Sequence, residues 1–195
     1  MATDLKYHYD ERLIVRLAIV LIVIVGLLAM FLAQRLNDSE PVVSESVAPE
    51  EVWAYVQEQA MQAKLNPDFI YAIAWAESSL NPDARSSMAR GMMQLSRAAW
   101  REVSDESYSQ AWDWRTNIRV GISYLAFCRD FLVKRDAFNY PLVAACYRYG
   151  PYYVQNKKFK ISAMKQPKNK IYQRLFLGNL QPIERPINLT VSQVR

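Results

Sequence analysis

Glu77 is the residue of this 195-residue chain whose setting most demands a chemical explanation. Phe69, Ile70, Ile73 and Ala74 precede it at the spacing of one helix face, so its carboxyl follows an apolar stripe toward the core. Asn66 can cap such a helix, Pro67 suits its first position, and Asn81-Pro82 ends it shortly after Glu77, which puts the acid in the last turn. Apolar surroundings and the negative end of the helix dipole both disfavour the anion there. A carboxylic acid that keeps its proton near neutral pH is equipped to be a general acid. The competing reading is a partly exposed glutamate at a frayed helix end, without chemistry of its own.

Other catalytic sets are missing from the pattern. The one histidine is His8, ahead of a long apolar segment, so neither a Ser-His-Asp nor a Cys-His arrangement is available to the rest of the chain. No metal-ligand spacing and no cofactor motif is visible, and no metal or cofactor is expected. Cys128 and Cys146 both lie in apolar helical patterns, where a disulfide and a pair of buried thiols are both open.

The words around Glu77 carry a more specific signal. Glu77-Ser78, Asn81-Pro82, Ala84, Ser86, then Gly91-Met92-Met93-Gln94 and a helix opening at Ser96 resemble the catalytic signature of the soluble lytic transglycosylase family, which has the goose-type lysozyme fold. The resemblance continues at Asp113, Asn117-Ile118, Gly121 and Tyr124-Leu125, and again from Ala144 to Pro151, covering roughly residues 49–154. It implies that Glu77 is the catalytic acid and that Ser78, Ser86, Met93, Gln94 and Tyr147 serve the substrate. Met93 would form an apolar wall beside the glycosidic bond, Gln94 an amide that binds sugar, and Tyr147 a phenol close to the acid. The bare residues also allow Met92 and Met93 as core filling and Tyr147 as a core tyrosine with a backbone partner. Asp113 matches an acid that opens a core helix, and its role is structural.

The chain departs from the family pattern at two places. Between Ser86 and Gly91 it is one residue shorter than the usual form, with Met88 near the place of a glycine. Arg148 stands where the motif around Tyr147 normally has asparagine. A guanidinium aimed at Glu77 would stabilise its anion and oppose proton donation. Arg148 either turns toward a carboxylate of the substrate, or holds a retuned Glu77, or marks a domain that binds glycan without cleaving it.

These residues need a frame, and hydropathy supplies one. Leu17 to Ala33 is uncharged and almost wholly aliphatic, and the apolar run extends to Leu13 if Arg16 snorkels, so residues 13–34 read as a transmembrane anchor. A cleaved signal peptide is the rival, disfavoured by Phe31 and Ala33 at the cleavage position. Lys6, Arg12 and Arg16 place residues 1–12 in the cytoplasm and the remainder outside. Residues 35–48, acidic and broken by Pro41, form a tether. Residues 49–180 form an all-α, lysozyme-like domain, with amphipathic helices over Glu50–Lys64, around Glu77, after Asp113, from Leu142 to Tyr149, and over Tyr172 to Leu177. Pro82 to Gly91 reads as a loop. Residues 181–195 look extended, as a frayed end or a segment for a protein partner in an envelope machine.

Net charge is +5, and no Asp or Glu occurs between Asp136 and Glu184 while lysines and aromatics accumulate there. Outside a membrane this suits carboxylates of wall peptides or anionic envelope polymers, and no nucleic-acid partner is expected. Taken with the family resemblance, the expected protein is a single-pass bacterial inner-membrane lytic transglycosylase with its catalytic domain in the periplasm and peptidoglycan glycan strands as substrate. Two alternatives stand beside it: a non-catalytic peptidoglycan-binding component that positions an envelope assembly, and a hydrolytic goose-type lysozyme, which would use a second carboxylate to hold water.

Overall fold

A computed structural model describes residues 11–36 and 46–186, with side chains over 16–32 and 46–186. His8, most of the expected cytoplasmic N-terminus, most of the tether and the end of the C-terminal tail lie outside these residues. The chain divides into two compact units, with the boundary between Glu40 and Pro41.

The first unit contains α1, Glu11–Leu36, a 26-residue helix. Its aliphatic side chains from Leu17 to Leu32 are exposed, with Leu17 at 60% and Leu32 at 52%. Among the described residues no helix is long and apolar enough to cross a membrane. The transmembrane helix expected over 13–34 is therefore not supported.

The second unit is built from short helices with explicit start signals. Helix α2, Pro49–Ala63, begins on its own proline and buries Val52, Trp53, Val56 and Ala60 along one face, as the amphipathic pattern over Glu50–Lys64 predicts. Helix α3, Pro67–Ser78, is capped by Asn66, whose Oδ1 accepts from the Phe69 amide at 3.2 Å. It ends earlier than Asn81-Pro82, because Ser79 and Leu80 both turn left-handed, at φ 56° and 63°. Ser96 caps α4, Arg97–Val103, and Asp113 caps α5, Trp114–Val133. Asn139 caps α6, Tyr140–Tyr149. Such caps satisfy helical amides that would otherwise lack a partner.

The domain is mostly helical, in keeping with the all-α expectation. Three details differ from the sequence reading. Ala89–Arg90 (β1) and Leu95–Ser96 (β2) pair antiparallel, Ala89 against Ser96 and Arg90 against Leu95, so part of the segment read as a loop is a hairpin arm. Gly150-Pro151 stops α6 and at once starts another helix, α7, Pro151–Asn156, because proline's fixed φ suits a first helical position as well as it blocks an interior one. The last helix, α8, Lys170–Phe176, buries Tyr172, Leu175 and Phe176, whereas Leu177 lies past its end and is 86% exposed.

Helix α5 is the central element, packed against α2, α4 and α6; α3 lies between α2 and α8, and α8 also packs on α6. Cys128 and Cys146 face this core from α5 and α6 as two buried free thiols, and burial pushes the Cys128 thiol well up. One fully buried polar side chain ties the hairpin to α5. Asn117 accepts from the Met93 amide at 2.7 Å and donates to the carbonyls of Ala111 at 2.9 Å and Arg90 at 3.1 Å. Gly91 makes room for it: φ is +75°, and a Cβ there would lie 2.3 Å from both Asn117 Nδ2 and the Ala111 oxygen.

Asn117→Ala would leave three backbone groups without their partner, the Met93 amide and Ala111 carbonyl buried and the Arg90 carbonyl partly so, each worth on the order of 1 kcal/mol. The expected outcome is a loss of about 3 kcal/mol, seen as a fall in Tm of about 10 °C on thermal denaturation. A loss below about 0.5 kcal/mol would mean that water replaces the amide at little cost.

Candidate active site

The apolar stripe of α3 delivers Glu77 to the wall of a groove of about 450 Å³. Phe69, Ile70, Ile73 and Ala74 are fully buried, while the Glu77 side chain keeps 16% exposure. The groove is lined by Gln94, Leu95 and Ser96 from the hairpin side, Ala99 of α4, Tyr124 of α5, and Tyr147, Arg148 and Tyr149 of α6. Glu77 is the one carboxyl group among these lining residues.

Two side chains reach its carboxylate. The Tyr172 hydroxyl of α8 donates to Glu77 Oε1, and Arg148 Nη1 lies 3.8 Å from the same oxygen, beyond direct hydrogen-bond distance. Arg148 also rests over the Tyr172 ring, 4.6 Å from its centroid. The start of α8 is fixed to the end of α3 by a second contact: Asn169, which caps α8, donates through Nδ2 to the Ala76 carbonyl at 3.1 Å. Ala76 is in the last turn of α3, where carbonyls lack helical partners.

Burial pushes the Glu77 carboxyl above its usual range, and this outweighs the Tyr172 hydrogen bond and the Arg148 charge, both of which pull it down. The phenols of Tyr172 and Tyr147 are pushed well up, chiefly by burial and then by the negative charge of Glu77. They stay protonated, so Tyr172 is a donor to the carboxyl in either of its states.

The other residues singled out in the sequence divide into two groups. Gln94, Tyr147 and Arg148 join Glu77 at the groove. Gln94 does so with a left-handed φ of 46°, its Nε2 donating to the carbonyls of Ala84 at 2.8 Å and Gly91 at 3.1 Å. Ser78, Ser86 and Met93 do not line it. The Ser78 hydroxyl donates to the Met92 carbonyl at 2.6 Å, and exposed Ser86 accepts from the amides of Met88 and Ala89, closing the turn before β1. Met93 is fully buried, so it is not the expected apolar wall; its sulfur lies where a Cβ on Gly121 would be, 2.3 Å away. Its backbone is what the site uses: the Met93 carbonyl accepts from the Tyr147 hydroxyl at 2.7 Å.

Tyr172, Asn169 and Tyr124 were missed as site residues. Tyr172 reads from sequence only as part of a closing helix, although a tyrosine on a core-facing stripe always leaves a hydroxyl that needs a partner. Nothing in the spacing links it to a carboxyl 95 positions away.

The family described as Transglycosylase SLT domain matches residues 54–171. No curated protein matches the chain. Among solved structures, the chain is similar to an inactive mutant of lytic transglycosylase Slt from Pseudomonas aeruginosa, at 24% identity and a TM-score of 0.48, over 67% of this chain and 20% of that one. The chain thus spans about a fifth of the length of that protein.

Removing the cation beside Glu77 makes its anion less favourable still, so Arg148→Met should move the Glu77 titration to higher pH. Carbon-detected NMR of the carboxyl across a pH series measures this directly. An unchanged or lower midpoint would show that the guanidinium charge does not act on Glu77.

Proposed function

The chain belongs to the transglycosylase SLT domain family, and from that premise we propose that it is a lytic transglycosylase that cleaves the β-1,4 bond from N-acetylmuramic acid to N-acetylglucosamine in peptidoglycan. Glu77 is the catalytic residue. It protonates the bridging oxygen as the bond from muramyl C1 breaks, and the resulting carboxylate takes the proton from the muramyl C6 hydroxyl. That oxygen closes on C1 to give a 1,6-anhydro end, and the carboxyl is restored in its protonated form.

The observation that carries this reading is a single carboxyl group, raised by burial, on the wall of the groove. A hydrolase of the inverting kind places a second carboxylate across the sugar ring to hold water, at a separation of roughly 6.5–9.5 Å. Among the described lining residues there is no such second acid. An internal hydroxyl as nucleophile needs none. Gln94 and Tyr147 line the same groove and offer polar groups for the sugar, while the binding-only alternative rests on Arg148 suppressing the acid. The raised Glu77 carboxyl speaks against suppression, because burial prevails over the guanidinium.

Digestion of wall glycan by the wild-type protein should release 1,6-anhydromuramyl ends, and Glu77→Gln should lower the rate by roughly 10³-fold, within the range for general acid-base catalysis. Mass spectrometry of the products checks both. Hydrated reducing ends alone would identify a hydrolase, and binding without turnover by the wild type would identify a positioning module.

Attachment to the bacterial inner membrane through residues 13–34, with the catalytic domain on the periplasmic side, is the second part of the proposal. Its support is the uncharged aliphatic sequence from Leu17 to Ala33 and the exposure of these side chains from Leu17 to Leu32. The full chain should sediment with membranes and resist extraction by carbonate or high salt, whereas a chain lacking residues 1–36 should be released. Release of the full chain by high salt would refute the anchor.

A further inference from the structure

Arg148 is placed in the groove in a way that the proton-donor role of Glu77 leaves unexplained. Its guanidinium stacks on Tyr172 and is 30% exposed, and it lies 3.8 Å from Glu77, the one acid among the described residues that line the groove. In the state able to donate a proton, Glu77 is neutral. Arg148 then faces the cavity as a half-dry cation whose single neighbouring acid in the groove has lost its charge.

The groups around it offer no replacement. Tyr147 and Tyr149 come from α6, Tyr124 from α5 and Tyr172 from α8, while Gln94 and Ser96 come from the hairpin side. Tyr124, Tyr147 and Tyr172 all keep their protons because burial pushes their phenols up. A partly desolvated guanidinium without a counter-ion gains strongly from an anion that can approach its open side, and its planar fork suits a carboxylate best.

We propose that Arg148 reads a carboxylate carried by the sugar at the scissile bond, so that the groove selects glycan whose muramyl lactyl group ends in a free carboxylate rather than in an amide-linked peptide. The inference rests on the groove being the glycan-cleaving site. Distance limits the choice of anion, because Arg148 Nη1 is within 3.8 Å of the proton donor, and the anion must belong to the sugar being cleaved. On muramic acid that is the 3-O-lactyl group. Carboxylates of a stem peptide begin further along the peptide, beyond the amide that caps the lactyl group.

Binding and protonation are then linked. A carboxylate on Arg148 neutralises the charge that holds Glu77 down, so the anionic substrate promotes protonation of the acid that must cleave it. By reciprocity, a Glu77 that cannot ionise binds the anionic glycan at least as tightly as the wild type does.

The test uses the full chain and two probes: peptide-free glycan oligosaccharides with free lactyl carboxylates, and the same strands with those carboxyls converted to methylamides. For the wild type, kcat/KM should be at least about tenfold higher on the carboxylate form, a preference of the size one charge-assisted pair provides. Arg148→Met should bring the ratio close to one, and Arg148→Lys, which keeps the charge, should retain part of it. Isothermal titration in buffers of different ionisation enthalpy should show proton uptake when the wild type binds the carboxylate form, and none for Glu77→Gln. A wild-type ratio near one, or an undiminished ratio in a folded Arg148→Met, would overturn the inference. If the wild type cuts neither probe, the transglycosylase reading fails. The titrations then decide the role of Arg148 alone: preferential binding of the carboxylate form that disappears in Arg148→Met supports it, and equal binding of both probes overturns it.

Discussion

A carboxyl group can be kept away from water only if its hydrogen-bonding needs are met whether or not it carries a proton, and the contact between Glu77 and Tyr172 meets that condition. A phenol that never ionises donates to Oε1 in both states, so the site does not have to reorganise as the proton moves. The contact joins α3 to α8 across almost the whole domain sequence, and Asn169 secures the same junction by taking up the Ala76 carbonyl. The candidate active site therefore depends on the last helix of the domain having docked. It also carries a cost: because the folded carboxyl is raised, its stabilising share is fully present below the unfolded value and is lost as pH rises through the folded one.

A second node is the backbone at Met92 and Met93. Ser78 donates to the Met92 carbonyl, Asn117 accepts from the Met93 amide, and Tyr147 donates to the Met93 carbonyl. Three helices thus grip one turn of the hairpin through side-chain hydrogen bonds rather than through apolar contact alone. Met93 follows from this. Its side chain packs down against Gly121 while its peptide groups are held in place for the groove. Residues of the resembling signature need not line the groove; Ser78 and Met93 instead join the contacts that hold its wall.

The elements with local causes were legible in the sequence. The start of α3 at Asn66-Pro67, the caps at Ser96, Asp113 and Asn139, and the position of Glu77 in a last turn all follow from residue types within a few positions of one another. The hairpin was not legible, since two-residue strands have no period to detect and are formed by pairing decided elsewhere. Helix α7 was hidden because the same Gly-Pro pair that ends one helix can begin another. Tyr172 and the burial of Met93 were out of reach for a different reason: each depends on which distant helix arrives beside it, and that is fixed by the packing of the core.

The opposing influences on Glu77 make sense once both halves of the proposed reaction are considered. Burial raises the carboxyl and favours the first half, in which a proton is given to the bridging oxygen. Taken alone it would hinder the second, because a carboxyl that gives up its proton with difficulty spends little time as the base that must collect one from the C6 hydroxyl. The Tyr172 hydrogen bond acts on the anion and favours that second half. One group serving as acid and then as base works best when neither form is overwhelmingly preferred. Burial raises the one carboxyl among the described lining residues, and the phenol pulls it back toward its ordinary range.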